Sequence, residues 1–411
     1  MSFLLKFFLA FLIGVPVQFG IGWSAPDDID GAKSRISSRS TIVAAKSESE
    51  SGLNKGPAEK WWRSQELSLL AVALGVGDVD GDGKNEIVVA GPSTIYLYRF
   101  SDNNLSLITE YSSGNLEIKS LDVAKTARSG RARIYVSAQN RGSVASFVLE
   151  YKNGALVPAV ESVDYFLRVI NYPTLGPILL GQKKGLTRMY DGPIYKMEDR
   201  GSSLEANERF GVPLKIPIFG FTIGDFGGKR NPLIAVYDKE DHLRIYDPTG
   251  KRLYVSKNYF GGSDIVLRWF GPEEMRDKGK DFAMDPIYVR PRVAWWTPSQ
   301  GAPAQILAIS HSSTTMRMLS RTKMLEEGRV KGLSWNGDSL DERWSTPKAQ
   351  GMVADFTIDS LAGMSGERLI VLERKKTDWL AFLLSRSQIK IYDLQQLVTE
   401  GGKGESKESS D

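Results

Sequence analysis

The run Gly77-Asp78-Val79-Asp80-Gly81-Asp82-Gly83-Lys84-Asn85-Glu86 leads directly into Ile87-Val88-Val89-Ala90, and this junction constrains the rest of the chain. Asp78, Asp80 and Asp82 place side-chain oxygens at positions one, three and five of a tight loop. Gly83 at position six permits a sharp turn, the carbonyl of Lys84 is available at position seven, and Glu86 closes the set at position nine. A hard cation such as Ca²⁺ is satisfied in this way, by many oxygens of which several are carboxylate. The competing reading is an acidic surface turn without metal. Three aspartates within five residues repel one another unless a cation lies among them, which favours metal.

A calcium loop set between two helices needs a bidentate Glu at position twelve. Position twelve here is Val89, inside a β-branched apolar run, so the loop joins two strands. The stretch resembles the calcium loop of FG-GAP/VCBS repeats, the blade motif of integrin-α-type β-propellers. That pattern is an apolar strand, then D-x-D-x-D-G-x-x-D/E, then a second apolar strand. Ala71-Val72-Ala73-Leu74-Gly75-Val76 supplies the first strand, Glu86 to Ala90 the second, and every ligand position is filled. Glu86 stands where the integrin form usually has Asp. The resemblance implies an all-β propeller and one structural Ca²⁺ held by Asp78, Asp80, Asp82, Glu86 and the Lys84 carbonyl. It implies no particular partner, because one fold hosts many functions.

The 411-residue length suits two average domains or one all-β ring. Basic and acidic residues nearly cancel, leaving a formal +4 without a basic stripe, so nucleic acid is not indicated. The absence of Cys excludes disulfides, thiolate metal sites, Cys nucleophiles and a lipid-modified Cys. With two His, Ser-His-Asp catalysis and histidine-rich metal sites have little to draw on.

Met1 to Trp23 is nearly continuous apolar sequence with one charge, Lys6, and reads as a signal peptide over 1–24 cut before Ala25. The alternative is an uncleaved anchor, since about 20 apolar residues span a bilayer. Gly14, Pro16 and Gly20 favour cleavage, and with it an exported protein: periplasmic, cell-surface or secreted. Residues 25–57, rich in Ser, Asp, Lys and Glu, are expected to be a disordered linker, and 396–411 a solvated tail.

Between these ends, over 58–395, the strand-loop-strand order recurs with the acidic loop eroded. A second copy holds Ser120 to Ala124, Arg133 to Ser137 and Ser146 to Tyr151, keeping only Asp122 as a reading of the ligand set. A third spans Phe166 to Arg209 with Gly176 to Gly181 as the expected inner strand. The fourth carries Gly224-Asp225-Phe226-Gly227-Gly228 where the calcium loop would be, one residue short and missing the second Asp. The fifth is expected at Tyr288 to Trp296, Gln305 to Ile309 and Met316 to Leu319, and the sixth at Val353 to Ile358, Glu367 to Leu372 and Gln388 to Asp393. Trp62-Arg63-Ser64 and Arg343-Trp344-Ser345 precede the first and sixth copies at similar spacing, as outer strands of preceding blades would. The expectation is six four-stranded blades, closed by the strand near Trp62, with a seventh blade hidden in Ser256 to Pro286 as the alternative.

His242 reads as a surface histidine, and His311 as a residue near a face loop. Trp295-Trp296 and Trp269-Phe270 are aromatic pairs suited either to stacking on a sugar or to packing between blades. Gly224 to Gly228 has no following helix to aim amides at a phosphate. The favoured reading is an exported calcium-binding propeller that recognises a protein or glycan. The alternative is a propeller enzyme, polysaccharide-cleaving or quinone-dependent, although no acid-base constellation stands out outside the loop.

Overall fold

Strand Glu86–Ala90 (β3) is buried at every residue, which explains why it reads as an unbroken apolar run. Successive side chains of a strand point to opposite faces. Val88 and Ala90 therefore enter one apolar cluster and Ile87 and Val89 another, on the far side of the same sheet. A blade pressed between two neighbours has no solvent face for polar residues to mark.

The computed structural model describes residues 61–404 except 127–129, 186–188, 191, 213–215, 269–285, 313–324 and 376–385. Blade 1 is Ala73–Gly77 (β2), β3, Thr94–Ser101 (β4) and Asn104–Ser112 (β5), in that order. Blade 2 is Glu117–Ala124 (β6), Arg133–Asn140 (β7), Ser146–Lys152 (β9) and Ala155–Val163 (β10), with the short Ser143–Val144 (β8) beside β7. Blade 3 is Phe166–Tyr172 (β11), Gly176–Gln182 (β12), Ile194–Asp199 (β13) and Leu204–Arg209 (β14). Blade 4 is Phe221–Gly224 (β15), Leu233–Tyr237 (β16), His242–Tyr246 (β17) and Arg252–Tyr259 (β18). Blade 5 is Val293–Trp296 (β21), Gln305–Ser312 (β22), Glu326–Trp335 (β23) and Leu340–Ser345 (β24). Blade 6 takes Gly351–Ser360 (β25), Glu367–Lys375 (β26) and Ser387–Asp393 (β27) from the C-terminal part of the chain. Its fourth strand is Trp61–Arg63 (β1), with Trp61 opposite Tyr392, Trp62 opposite Ile391 and Arg63 opposite Lys390.

Six apolar clusters fill the six gaps between neighbouring blades. The gap between blades 6 and 1 is one of them, with Leu74, Val76, Ile87 and Val89 packed on Ile370, Leu372, Ile389 and Ile391. The ring is therefore closed both by strand pairing and by core. Near the axis the inner strands crowd together: a Cβ on Gly75 would lie 2.6 Å from Val123 Cγ2, and one on Gly77 2.7 Å from Val123 Cγ1. Glycine at these positions lets blades 1 and 2 meet.

Three expectations are corrected. The inner strand of blade 3 is β11, and Gly176–Gln182 is its second strand. The third strand of blade 5 is β23, whereas Met316 to Leu319 lies outside the described residues. Residues read as a tail from 396 include an α-helix, Leu394–Gly404 (α1), whose Leu397 and Val398 pack against blades 5 and 6. Asp122 lies inside strand β6, within the first strand expected for the second copy. The segments expected to be a signal peptide and a linker, the Trp269-Phe270 pair and residues 405–411 lie outside the described residues.

Between blades 4 and 5, where a seventh blade was the alternative, the described residues form a two-stranded ribbon, Val266–Leu267 (β19) with Ile287–Tyr288 (β20). It reaches across to other blades. Lys119 Nζ donates to the Val266 carbonyl (2.7 Å), and the Gln139 side-chain amide pairs with both backbone groups of Arg268 (2.9 Å each). Arg374 of blade 6 pairs with Asp264. Lys119 stands near the start of the inner strand of blade 2, so the ribbon covers the end of the channel where the inner strands begin.

Candidate functional site

The axis of the ring is filled by charge, and the residues that fill it come from four blades. Arg292 lies immediately before β21, within the channel. It donates to Asp122 Oδ1 (2.6 Å), to Asp355 Oδ1 and Oδ2 (2.9 and 3.1 Å), and to the carbonyls of Leu74 and Leu121 (3.1 and 3.2 Å). Arg168 on β11 closes the other side of Asp122, with Nε at 2.8 Å from Oδ2, and also donates to Ser120 Oγ at 3.2 Å. Backbone amides complete the carboxylates: Val169 N donates to Asp122 (2.8 Å), Leu74 N and Phe356 N to Asp355 (3.0 and 2.9 Å). Burial works against the charge of Arg292, yet Asp355 and then Asp122 outweigh it and raise its pKa. With its neighbours on both sides satisfied, this cluster is a plug across the axis.

Above the plug, at the end where the inner strands finish, the channel widens into a cup of about 700 Å³. Asp122, Arg168 and Arg292 line its floor, and the rim carries Asn85, Lys125, Tyr172, Trp295, Asp359 and Glu367. The Trp295 N–H donates to the Asn171 carbonyl (2.9 Å), reaching from blade 5 over the short β15 to blade 3. Trp296 is buried between blades 5 and 6, where its N–H donates to Glu367 Oε2 at 2.7 Å. Asp359 is held from blade 1, with Asn85 Nδ2 at 2.9 Å from Oδ1, and accepts the Ser360 amide at 2.8 Å. Burial, opposed by the Ser360 amide and reinforced by the charge of Glu367, pushes the Asp359 carboxyl up to about 6.

The acidic loop of blade 1 forms one edge of this rim, through Asp78 and Asn85. It is a hairpin whose base is the pair Gly77 opposite Glu86, and Gly83 takes the left-handed φ of 85° that the sixth position demands. Asp78, Asp80 and Glu86 each offer a carboxylate oxygen within 4.8 Å of the others. Asp82 is more exposed and accepts the Lys84 amide at 2.8 Å. Glu86 is fully buried, and its Oε2 accepts the amides of Val79 and Asp80 (3.0 and 3.3 Å). Its Oε1 has no hydrogen-bond partner. Burial, together with the charges of Asp80 and Asp82, pushes the Glu86 carboxyl up to about 7.

Two side-chain cations lean on the loop. Arg99 pairs with Asp80, and its Nε stops 3.9 Å short of Glu86 Oε1, so both of those buried atoms lack a partner. Lys125 Nζ lies 3.1 Å from Asp78 Oδ2. Burial opposes the charge on Asp78, but Lys125 together with the amides of Gly83 and Gly81 outweighs it and lowers the pKa. The donor set fits a hard divalent cation: three convergent carboxylates, one of them buried with an orphan oxygen.

Other candidate residues have structural roles. Asp225 accepts the amides of Lys229 and Arg230 (3.1 and 3.0 Å) and so ties its own loop. His242 stacks on Tyr259 and contacts the Ser256 carbonyl. His311 is buried, with Nδ1 2.8 Å from the Gly261 carbonyl and Nε2 3.2 Å from Val353 N, linking blade 5 to blade 6. Sequence reading missed Arg292, Arg168 and Asp355; the one signal available was an aspartate set directly between apolar neighbours in an inner strand, Asp122 between Leu121 and Val123 and Asp355 between Ala354 and Phe356.

Fold and site together define a six-bladed propeller with a channel plugged at its middle and open at one end. No protein-family model matches the sequence, and no curated protein does. Among solved structures the chain is similar to BBS1N in its complex with ARL6DN, at 11% identity over 82% of this chain and 98% of that one, with a TM-score of 0.43. It is similar to the Dos1 propeller at 10% identity, over 79% of this chain and 68% of that one, with a TM-score of 0.35. It is also similar to the exotype rhamnogalacturonan lyase YesX at 12% identity, over 79% and 46%, with a TM-score of 0.34. These likenesses say nothing of what this chain binds, and the ring rests on its own strand pairing.

Proposed function

We propose that this chain is an exported, calcium-stabilised binding propeller of the FG-GAP/VCBS type, which recognises a protein or glycan at the open end of its channel. Asp78, Asp80 and Glu86 would hold the cation, with Asp82 and the Lys84 carbonyl joining them. The ion would neutralise carboxylates that otherwise strain a hairpin bordering the rim. The observation that carries the reading is the buried Glu86, grouped with Asp78 and Asp80, whose Oε1 accepts no hydrogen bond and has only Arg99 Nε at 3.9 Å. A buried carboxylate oxygen left unpaired costs on the order of 1–3 kcal/mol, and a divalent cation removes that cost.

The test is calorimetric titration of the chelator-treated protein with Ca²⁺, paired with thermal unfolding. Binding to the native state alone stabilises by about 2.7 kcal/mol at a hundredfold excess over Kd. The parent should therefore melt higher with Ca²⁺, and an Asp78→Asn, Asp80→Asn variant should not respond. Silence of the parent at millimolar Ca²⁺ would sink the metal reading.

A further inference from the structure

Of the charged side chains around the cup, most are already matched. Asp122, Arg168 and Arg292 satisfy one another together with Asp355, and Lys125 answers Asp78. Asp359 and Glu367 have no cationic partner among the described residues. They stand at the end of blade 6, Asp359 fixed by Asn85 from blade 1 and Glu367 by the Trp296 indole from blade 5. Both partners are neutral donors, which orient the carboxylates without cancelling their charge.

From this we infer that the cup takes a small ligand carrying an ammonium or guanidinium group, which pairs with Asp359 and Glu367. The inference rests on reading the open end as the binding face. Burying a carboxylate without a countercharge is costly, so the half-buried Asp359, which has none, is poised for a cation, with the exposed Glu367 beside it at the rim. The burial that pushes up Asp359 is the same cost seen from the proton's side. A cavity of about 700 Å³ suits a small molecule rather than a lone side chain, which would leave most of it empty. Asn171, Thr222, Thr297 and Thr357 line the same cavity and offer neutral hydrogen-bonding groups for the rest of such a ligand. The Trp295 indole, half-buried on the rim, adds an aromatic face that favours cations. An amino sugar and a simple diamine share the required group.

The experiment titrates the full chain, in excess Ca²⁺, with the glucosamine trimer, its fully N-acetylated neutral counterpart, cadaverine, tri-lysine and trigalacturonate. The cationic trisaccharide should bind, and acetylation should abolish binding. Asp359→Asn and Glu367→Gln should each weaken it by about tenfold, as expected for one lost charge-assisted pair, while the Ca²⁺ titration stays unchanged. Preference for cadaverine or tri-lysine would move the source of the cation from a sugar to an amine or a peptide, with the recognised group the same. Equal binding of the neutral sugar, unchanged binding by the combined Asp359→Asn, Glu367→Gln variant, or no binding of any cationic probe overturns the inference. Binding of trigalacturonate instead would leave the binding-face reading standing while the cation inference falls.

Discussion

Arg292→Met is the most informative single perturbation of this ring. The guanidinium makes five hydrogen bonds to partners on three blades, among them the carboxylates of Asp122 and Asp355. Asp122 would keep Arg168 at 2.8 Å, but Asp355 would be left with only the amides of Leu74 and Phe356. Removing one partner of a buried ion pair costs about 3–5 kcal/mol, because the other charge stays buried. Against a total stability of about 5–15 kcal/mol, that is a large fraction. Neutralising the stranded partner should recover part of it, so Arg292→Met, Asp355→Asn should be more stable than Arg292→Met alone by about 1–3 kcal/mol. Urea unfolding followed by tryptophan fluorescence, with slopes compared between variants, measures both. A loss below about 1 kcal/mol for the single variant, or a double variant no more stable than the single, would refute the plug as a coupled unit.

Three further outcomes are expected. Arg99→Ala removes a half-exposed ion pair and so should lower calcium-free stability by about 1 kcal/mol or less; because its guanidinium competes with the cation, the same variant should bind Ca²⁺ roughly fivefold more tightly by calorimetry, and weaker binding would contradict the competition. Asp359→Asn should stabilise the protein. The folded carboxyl lies near 6, above its ordinary 3.8, so the folded state holds the proton more firmly and stability falls as pH rises through that window. The gain from Asn should thus be absent below about pH 4 and reach at most about 3 kcal/mol above about pH 6, by thermal melts across pH; a gain independent of pH would reject burial of the charge as its cause. Trp62→Ala deletes an edge-on contact with Phe100 and a 3.0 Å bond to the Asn103 carbonyl, and should cost about 2 kcal/mol in the same urea assay; no loss would mean that the closing strand contributes little.

What the sequence determined by itself was whatever is written locally. The acidic loop gathers three aspartates, a glycine turn and Glu86 within nine residues, and the apolar runs around it fix a strand on each side. Repetition of that unit, together with Trp62 and Trp344 ahead of their blades, pointed to six blades and a closed ring, with a seventh blade left open. The same reading failed in blade 3, where both β11 and β12 are short, largely apolar strands and neither carries an acidic loop to mark the inner one. It failed again at α1, whose polar, glycine-containing sequence is helical where it packs on blades 5 and 6. The tertiary structure alone decided the channel. Arg292 meets Asp355 and Asp122 across 63 and 170 residues of chain, and Leu74 across 218, because inner strands converge on the axis however far apart they are written. That convergence also leaves Asp359 and Glu367 as the uncompensated charges of the cup, a property of what stands opposite them and not of their neighbours in sequence.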